Sequence, residues 1–397
     1  MKSLKNWLKN KLRKALAIAG IEEAIAGIEE SIQKLRDTRS DDSKNVFGIS
    51  FWYEGNLWEP PVQIALRDLC RPGDVVFDVG ANFGGLTTVM SRMVGSRGIV
   101  CSFEASPRII GICQKNIVMS GCSNVQLYNV AVYSKSNETV PIYLGGHLND
   151  SIYSNSDEEV AAFNIDTLSL DDFVDFTSLV PNLIKMDIEG AEFDAIIGAL
   201  NTITTARPHL ILETQPSDTR CLDLLRDKGY VAIDLNSYQE IKSPTDYPQG
   251  VGIRNNLYIH QDRLSETPYS LPFTFVEVKT LTEDDFIKTS SSMLALKNPL
   301  KLDKGRYLID LDFVAQGTDN EMMCGVKVQD KIIFRYHAYT KLIADSYKDW
   351  VIDLSKNCEA NIYFEFLNGT SDKTFAIKSA RVIRISQFDN FKSAPYI

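Results

Sequence analysis

The chain has 397 residues, enough for two or three domains, and its 44% hydrophobic and 24% charged content is that of an ordinary globular protein. A formal net charge of −10 excludes non-specific nucleic-acid binding, which needs a basic footprint. Seven cysteines without a C-x-x-C pair suggest neither a disulfide framework nor a zinc site, so reduced thiols and a cytoplasmic location are expected. No uninterrupted apolar run reaches spanning length, and the start lacks the apolar core and small-residue cleavage site of a signal peptide.

Residues 1–45 read as a helix and linker. Lys2, Lys5, Lys9, Lys11, Arg13 and Lys14 surround Leu4, Leu8, Leu12 and Leu16 on one face. Such a basic amphipathic helix can lie on an anionic membrane surface or dock on its own protein. Ile18, Ile21, Ile25, Ile28, Ile32 and Leu35 then form a short heptad seam, which predicts a homo-oligomer, trimer or dimer. Asp37 to Asn45 is a polar linker.

Residues 46–265 alternate between strand and helix patterns. Val46 to Trp58 is aromatic-rich, and Glu59-Pro60-Pro61 opens a helix, proline being accepted in a first turn. DVVFDVGANFGGLTTVM, from Asp74 to Met90, gives a buried strand, a turn at Gly80, Gly84 and Gly85, and a helix. The run GIVCSFEAS carries Glu104 at the end of the next strand. Asn124 to Val132 predicts a third strand, followed by an insert rich in glycine, asparagine and serine from Thr139 to Ser156. Phe163 to Phe173 predicts a short strand and a helix led by Ser169. LIKMDIEGAEFDAIIGAL predicts a strand ending in Asp187 and a helix with Glu189 and Glu192 in its first turn. HLILE ends in Glu213.

The glycine order from Gly80 to Gly85 fits neither G-x-G-x-x-G nor a G-x-x-x-x-G-K-[ST] phosphate loop. A ligand with a ribose but no pyrophosphate fits better, S-adenosylmethionine foremost. Asp78 and the backbone at Gly80 would face its cationic amino-acid end, and Glu104 would accept two ribose hydroxyls. The Asn129–Ala131 end of the third strand should sit near the adenine. Alone, this stretch also fits an ordinary βαβ crossover, the lesser of the two readings. Asp78, Glu104, Asp187 and Glu213 each close a strand, however, and should line the edge where open α/β sheets bind ligands.

VFDVGANFGGLTT, SFEASP, TLSLDDF and IKMDIEGAEFDAIIGA resemble the successive motifs of FkbM-type methyltransferases, over roughly residues 50 to 262. The resemblance implies a class I methyltransferase fold, a Rossmann-like α/β sheet of seven strands, mostly parallel with the last antiparallel. It implies S-adenosylmethionine as donor and O-methylation of a hydroxyl, often on a sugar or glycosylated natural product. As cofactor-binding residues, Asp78, Gly80, Asn82 and Gly84 carry over to the methionine portion, Glu104 to the ribose, and Glu59 to the acid that many relatives have before the first strand. Ala105 stands where relatives usually have proline.

Transfer to a hydroxyl needs positioning and a proton acceptor. Asp187 is favoured as base or anchor, with Glu189, Glu213 and His147 of the insert as the other candidates. Glu189 also fits a helix N-terminus, and His209 should sit structurally at the opposite sheet edge. Asp187, Glu189 and Glu213 could hold Mg²⁺, a reading ranked below the metal-free one.

Residues 266–397 switch to short alternating runs such as YLIDLDF and NIYFEF, predicting a β-sandwich or jelly roll. Tyr336, His337, Tyr339 and Trp350 are its candidates for gripping carbohydrate. The predicted activity is O-methylation of a sugar or glycan, a polysaccharide or glycolipid. A small secondary metabolite as acceptor, or an inactive glycan-binding scaffold, are the alternatives.

Overall fold

In the computed structural model the described residues are 59–143, 150–153, 161–248, 251–290, 292–315, 321–328, 331–339, 349–366 and 375–388. The N-terminal helix, the heptad seam, the aromatic segment before Glu59, and His147 lie outside them.

The first module is built on one sheet. Helix α1 (Pro60–Leu69) leads into strand β1 (Val75–Val79), helix α2 (Gly85–Val94), strand β2 (Ile99–Phe103), helix α3 (Ile110–Met119) and strand β3 (Val125–Tyr128). Short strands β4 (Ala131–Val132), β5 (Thr139–Tyr143) and β6 (Ala161–Leu168) form a separate ribbon, and helix α4 (Leu170–Thr177) follows. Ser169 caps α4, accepting the Asp172 backbone N–H at 3.2 Å. Strand β7 (Leu183–Met186), helices α5 (Glu192–Ile197) and α6 (Leu200–Ala206), strand β8 (His209–Thr214), helix α7 (Arg220–Asp227) and strands β9 (Tyr230–Asp234), β10 (Glu240–Ile241) and β11 (Arg254–His260) complete it.

The strand order is β10-β9-β11-β8-β7-β1-β2-β3. Strands β3, β2, β1, β7 and β8 run parallel, while β11 inserts antiparallel between β8 and β9. The sheet therefore has eight strands where seven were expected: Glu240 and Ile241 fold back on β9 as a two-residue antiparallel edge. The predicted third strand also divides. Asn129 donates from Nδ2 to the Glu104 carbonyl at 2.8 Å, and Ala131 beyond it pairs with Thr167 of β6. From β1 the chain proceeds one way to β2 and β3 and the other way to β7 and β8. The switch point between β1 and β7 is where open α/β sheets hold their ligands.

The second module contains two antiparallel sheets. One has the order β12 (Phe275–Thr282), β21 (Phe375–Ile385), β16 (Gly305–Ala315), β19 (Asp349–Leu354). The other has β13 (Phe286–Ser290), β14 (Met293–Leu296), β20 (Cys358–Phe366), β17 (Glu321–Val328) and β18 (Lys331–Tyr339), with β15 (Leu300–Leu302) also on β20. Tyr307, Ile309, Trp350, Ile352 and Val382 of the first share a core with Val326, Ile362 and Phe364 of the second. Trp350 is thus a core residue, 2% exposed, rather than a sugar platform.

Alternation along these strands sends their neighbours the opposite way. Leu308, Val351, Ile383 and Ile385 join the core that includes Val62, Ile64, Ala65 and Leu66 of α1. Strands β16, β19 and β21 of the first sheet therefore send buried residues to both faces, and the two modules share a core through α1. No helix among the described residues is long and apolar enough to cross a membrane.

Candidate active site at the sheet switch point

The turn after β1 is determined by two contacts. Gly80 and Ala81 both donate backbone N–H groups to the Phe103 carbonyl at 2.9 Å, drawing the turn across β2. Gly80 has φ +84°, and a Cβ there would lie 1.8 Å from the Asp187 carbonyl oxygen. Only glycine fits where this turn crosses the end of β7. Gly84, at φ +81°, starts α2 against Cys113 of α3, whose Sγ would lie 3.1 Å from an added Cβ.

Asp78 is fully buried, and its Oδ2 accepts the Thr87 hydroxyl at 2.5 Å. Burial raises its pKa, against the pull of the Lys185 ammonium. Glu104 accepts the Ser106 N–H at 2.7 Å and the Asn82 N–H at 2.8 Å, one on each oxygen. It therefore braces the glycine turn as well as standing at the predicted ribose position. Ala131 is buried in the ribbon beside this loop.

Two of the acids predicted for chemistry, Asp187 and Glu213, come together with Glu59, predicted to bind the cofactor, across β7, β8 and α1. Oxygens of Glu59, Asp187 and Glu213 lie within 4.8 Å of one another. Glu59 thus stands with the acids of β7 and β8, a grouping its place before the first strand did not reveal. Lys185, 3% exposed, reaches up beneath them and donates to Asp187 Oδ2 at 3.1 Å. Burial opposes its charge, but Asp187, Glu59 and Asp78 together raise its pKa above the ordinary value. Asn255 donates to Glu59 Oε1 at 3.2 Å.

The cluster holds more carboxylates than Lys185 can neutralise, so protons bind tightly. Burial, opposed by Lys185 and assisted by Asp187, lifts Glu59 above the usual carboxylate range. Glu213 is lifted further, by burial first and then by Asp187 and Glu59. Glu189 is pushed up to about 7 by burial and by Asp187 and Glu192. Glu189 is not in a helical first turn: it has φ +55° and α5 begins only at Glu192. Glu192, the first residue of α5, accepts the Ile188 N–H at 2.9 Å. His209 opens β8 at the far edge, and burial drops its pKa to about 3, leaving it neutral.

Glu59, Asp187 and Glu213 offer the hard oxygen ligands that Mg²⁺ takes, with Glu59 in place of the Glu189 suggested by sequence. Lys185 already sets a buried cation against this group. Lys185 and Asn255 are the site residues that sequence reasoning missed. Lys185 stands in the quoted IKMDIEGAE run, and its period-two spacing from Asp187 was the available signal. Nothing local marks Asn255. Serine and aspartate at the insert's described stub also reach the site: Ser151 donates to the Glu189 carbonyl at 3.0 Å, and Asp150 pairs with Arg108 and accepts from Ser106 at 2.6 Å.

Several buried oxygens here accept nothing from the described residues: Glu59 Oε2, Asp78 Oδ1, Asn82 Oδ1 and Asn255 Oδ1. Buried acceptors without donors are costly, so a ligand rich in N–H and O–H groups fits them. S-adenosylmethionine passes this test, since its ammonium and ribose hydroxyls are donors.

Residues 78–232 match the methyltransferase FkbM domain family. The 2-O-methyltransferase NoeI of Sinorhizobium fredii is 27% identical over 154 residues, covering 34% of this chain and 62% of that protein. The chain therefore spans less than two thirds of that curated relative's length. Among solved structures, methyltransferase FkbM from Methylobacillus flagellatus is 18% identical over 50% of each chain, with a TM-score of 0.32. Aeropyrum pernix fibrillarin with bound S-adenosyl-L-methionine is 10% identical over 50% of this chain and 73% of that chain, also with a TM-score of 0.32.

Proposed function

We propose, from the match of residues 78–232 to the methyltransferase FkbM domain family, that the protein is an S-adenosylmethionine-dependent O-methyltransferase acting on a hydroxyl of a sugar or glycan. The relative NoeI, named a 2-O-methyltransferase, supports oxygen as the methylated atom. The observation that supports the acceptor class is that Glu59 Oε2 and Asn255 Oδ1, on side chains joined by a 3.2 Å hydrogen bond, are buried acceptors without a donor among the described residues. A polyhydroxylated acceptor supplies the donors these oxygens lack. The excess of carboxylates over Lys185 disfavours a phosphorylated or uronic-acid unit at the reacting position.

Bound at the glycine turn, S-adenosylmethionine supplies an activated methyl group. Asp78 and Asn82 would receive its donors through their free oxygens, and Glu104 would hold the ribose while bracing the turn. On the acceptor side, Asp187 is paired with Lys185 and serves as a fixed hydrogen-bond acceptor and anchor. Glu213 keeps its proton at neutral pH and donates. Glu189, poised at about 7, suits the general base, whose proton affinity should lie near the working pH. A metal-free site is our reading, because Lys185 already supplies the cation.

Calorimetry with S-adenosylmethionine, then a screen of neutral, amino, uronic and phosphorylated sugars with labelled donor, tests this. Donor binding and methylation of neutral or amino sugars is the expected result. Failure of the donor to bind would overturn it. For residues 1–45 we propose self-association through the heptad seam and membrane contact through the basic face. Removing residues 1–40 should lower the mass in solution and abolish binding to anionic vesicles.

A further inference from the structure

Helix α1 joins two places. Its N-cap residue is Glu59, in the acid cluster, and its last turn carries Arg67 and Asp68. Ten residues make a rod about 15 Å long. At the far end, Arg306 of β16 grips Asp68 with a two-pronged contact, Nη1 to Oδ2 at 2.6 Å and Nη2 to Oδ1 at 3.0 Å. Both side chains are 0% exposed. Arg306 Nη2 also reaches Asp353 of β19 at 3.3 Å, and Asp353 pairs with Arg67. The Arg306 guanidinium lies 3.8 Å over the Phe388 ring, and the Tyr269 hydroxyl donates to Asp68 at 2.9 Å.

Apolar surfaces alone would let α1 slide along the sheet that covers it. A planar fork matched to one carboxylate fixes both the register and the rotation. A network of this kind is costly to bury, and its best-attested use is to specify one arrangement among many. Here it connects β16 and β19 of the second module to the helix that carries an acid of the site. At the other end Glu59 has φ +44°, a conformation that persists only where its surroundings impose it. Its Oε1 is held by Asn255 while Oε2 is buried and free.

We propose that Arg306 is a positioning residue of the active site: through Asp68 and α1, the second module sets Glu59 in its place beside Asp187 and Glu213. The module is then a working part of the catalytic architecture, not an appended carbohydrate-binding unit. The role assigned to Glu59 rests on the methyltransferase reading above; its placement by α1 does not.

The test uses the full chain with Arg306→Lys, which keeps the charge but loses the fork, and with Asp353→Asn, which weakens the outer contacts to Arg306 and Arg67 by removing the carboxylate charge. Three properties are measured: S-adenosylmethionine affinity by calorimetry, turnover, and the carboxyl ionisation of the cluster by infrared titration. Glu59→Gln identifies the Glu59 band. In Arg306→Lys the donor should bind within about twofold of wild type, while turnover falls at least about tenfold. The Glu59 band should titrate closer to the ordinary carboxylate range as the cluster opens to water. Asp353→Asn should show the same changes, smaller, and decides the matter if Arg306→Lys does not fold. A Glu59 titration and turnover unchanged in the folded variants, with only the melting temperature lowered, would overturn the proposal. A wild-type chain that failed to bind donor would count against the methyltransferase reading, and the infrared titration would still decide this one.

Discussion

Replacing Gly80 by alanine tests the joint between the first strand and the loop bearing Asp187. The new Cβ would lie 1.8 Å from the Asp187 carbonyl oxygen, where real Cβ atoms essentially never come closer than 3.0 Å. One of the two segments must retreat by about 1.2 Å or more. Neither is free to do so. Gly80 and Ala81 are held to the Phe103 carbonyl at 2.9 Å, and the Asp187 N–H donates to the Val79 carbonyl at 3.0 Å. Forcing an L-residue to φ +84° costs about 1–2 kcal/mol. Losing one buried backbone hydrogen bond costs about 1–3 kcal/mol more. The melting temperature should fall on the order of 10 °C. Displacing Asp187 by about 1 Å should cost turnover on the order of 10²-fold. Gly85→Ala is the control, since its Cβ would meet nothing within 4 Å at the first position of α2. Thermal unfolding followed by initial rates in the folded range gives both numbers. A Gly80→Ala protein with the stability and turnover of wild type would refute the packing argument.

Three further outcomes are expected. Glu104→Ala removes both acceptors that hold the Asn82 and Ser106 N–H groups, so calorimetric donor affinity should weaken by roughly 10–100-fold; unchanged affinity would remove Glu104 from the site. Glu189 must be deprotonated to accept a proton, so turnover should rise with pH through about 7 and level off above. Glu189→Gln should lose that limb and on the order of 10²-fold in turnover with donor affinity kept. Glu213 binds its proton more tightly folded than unfolded, where its value is 4.5. Its contribution to stability is therefore complete below about that pH and is lost as pH climbs toward the raised folded value. Glu213→Gln should abolish this loss, making the variant more stable than wild type at about pH 8 and nearly equal to it at about pH 4; urea midpoints at the two pH values measure it.

The parts of the site legible in sequence are those whose geometry is local. DVGANFGG reads as strand, turn and helix because four consecutive apolar-rich positions, a left-handed glycine and a helical run follow one another within a single βα unit. The strand-end acids were legible for the same reason, since parallel strands in one sheet bring their carboxyl ends to one edge. The helix position of Glu189 was misjudged because Gly190, at φ +103°, delays α5 to Glu192. A helical pattern cannot show which of several acids begins it. A strand pattern gives two faces without saying which is covered, and both faces of β19 are, Trp350 lying in one core and Val351 in the other.

Sequence by itself determined the glycine turn after the first strand, the alternation of strands and helices around it, and the four acids at the strand ends. Only the tertiary structure decided the company those acids keep. Glu59 meets Asp187 and Glu213, Asn255 fixes Glu59, and Arg306 grips Asp68 from 238 residues away. The reason is physical. A turn or a strand end is written in neighbouring residues through backbone sterics and side-chain period, whereas a contact between distant elements exists only once packing has chosen their register. In this chain that choice is made by the core around α1 and by the buried charges at its far end.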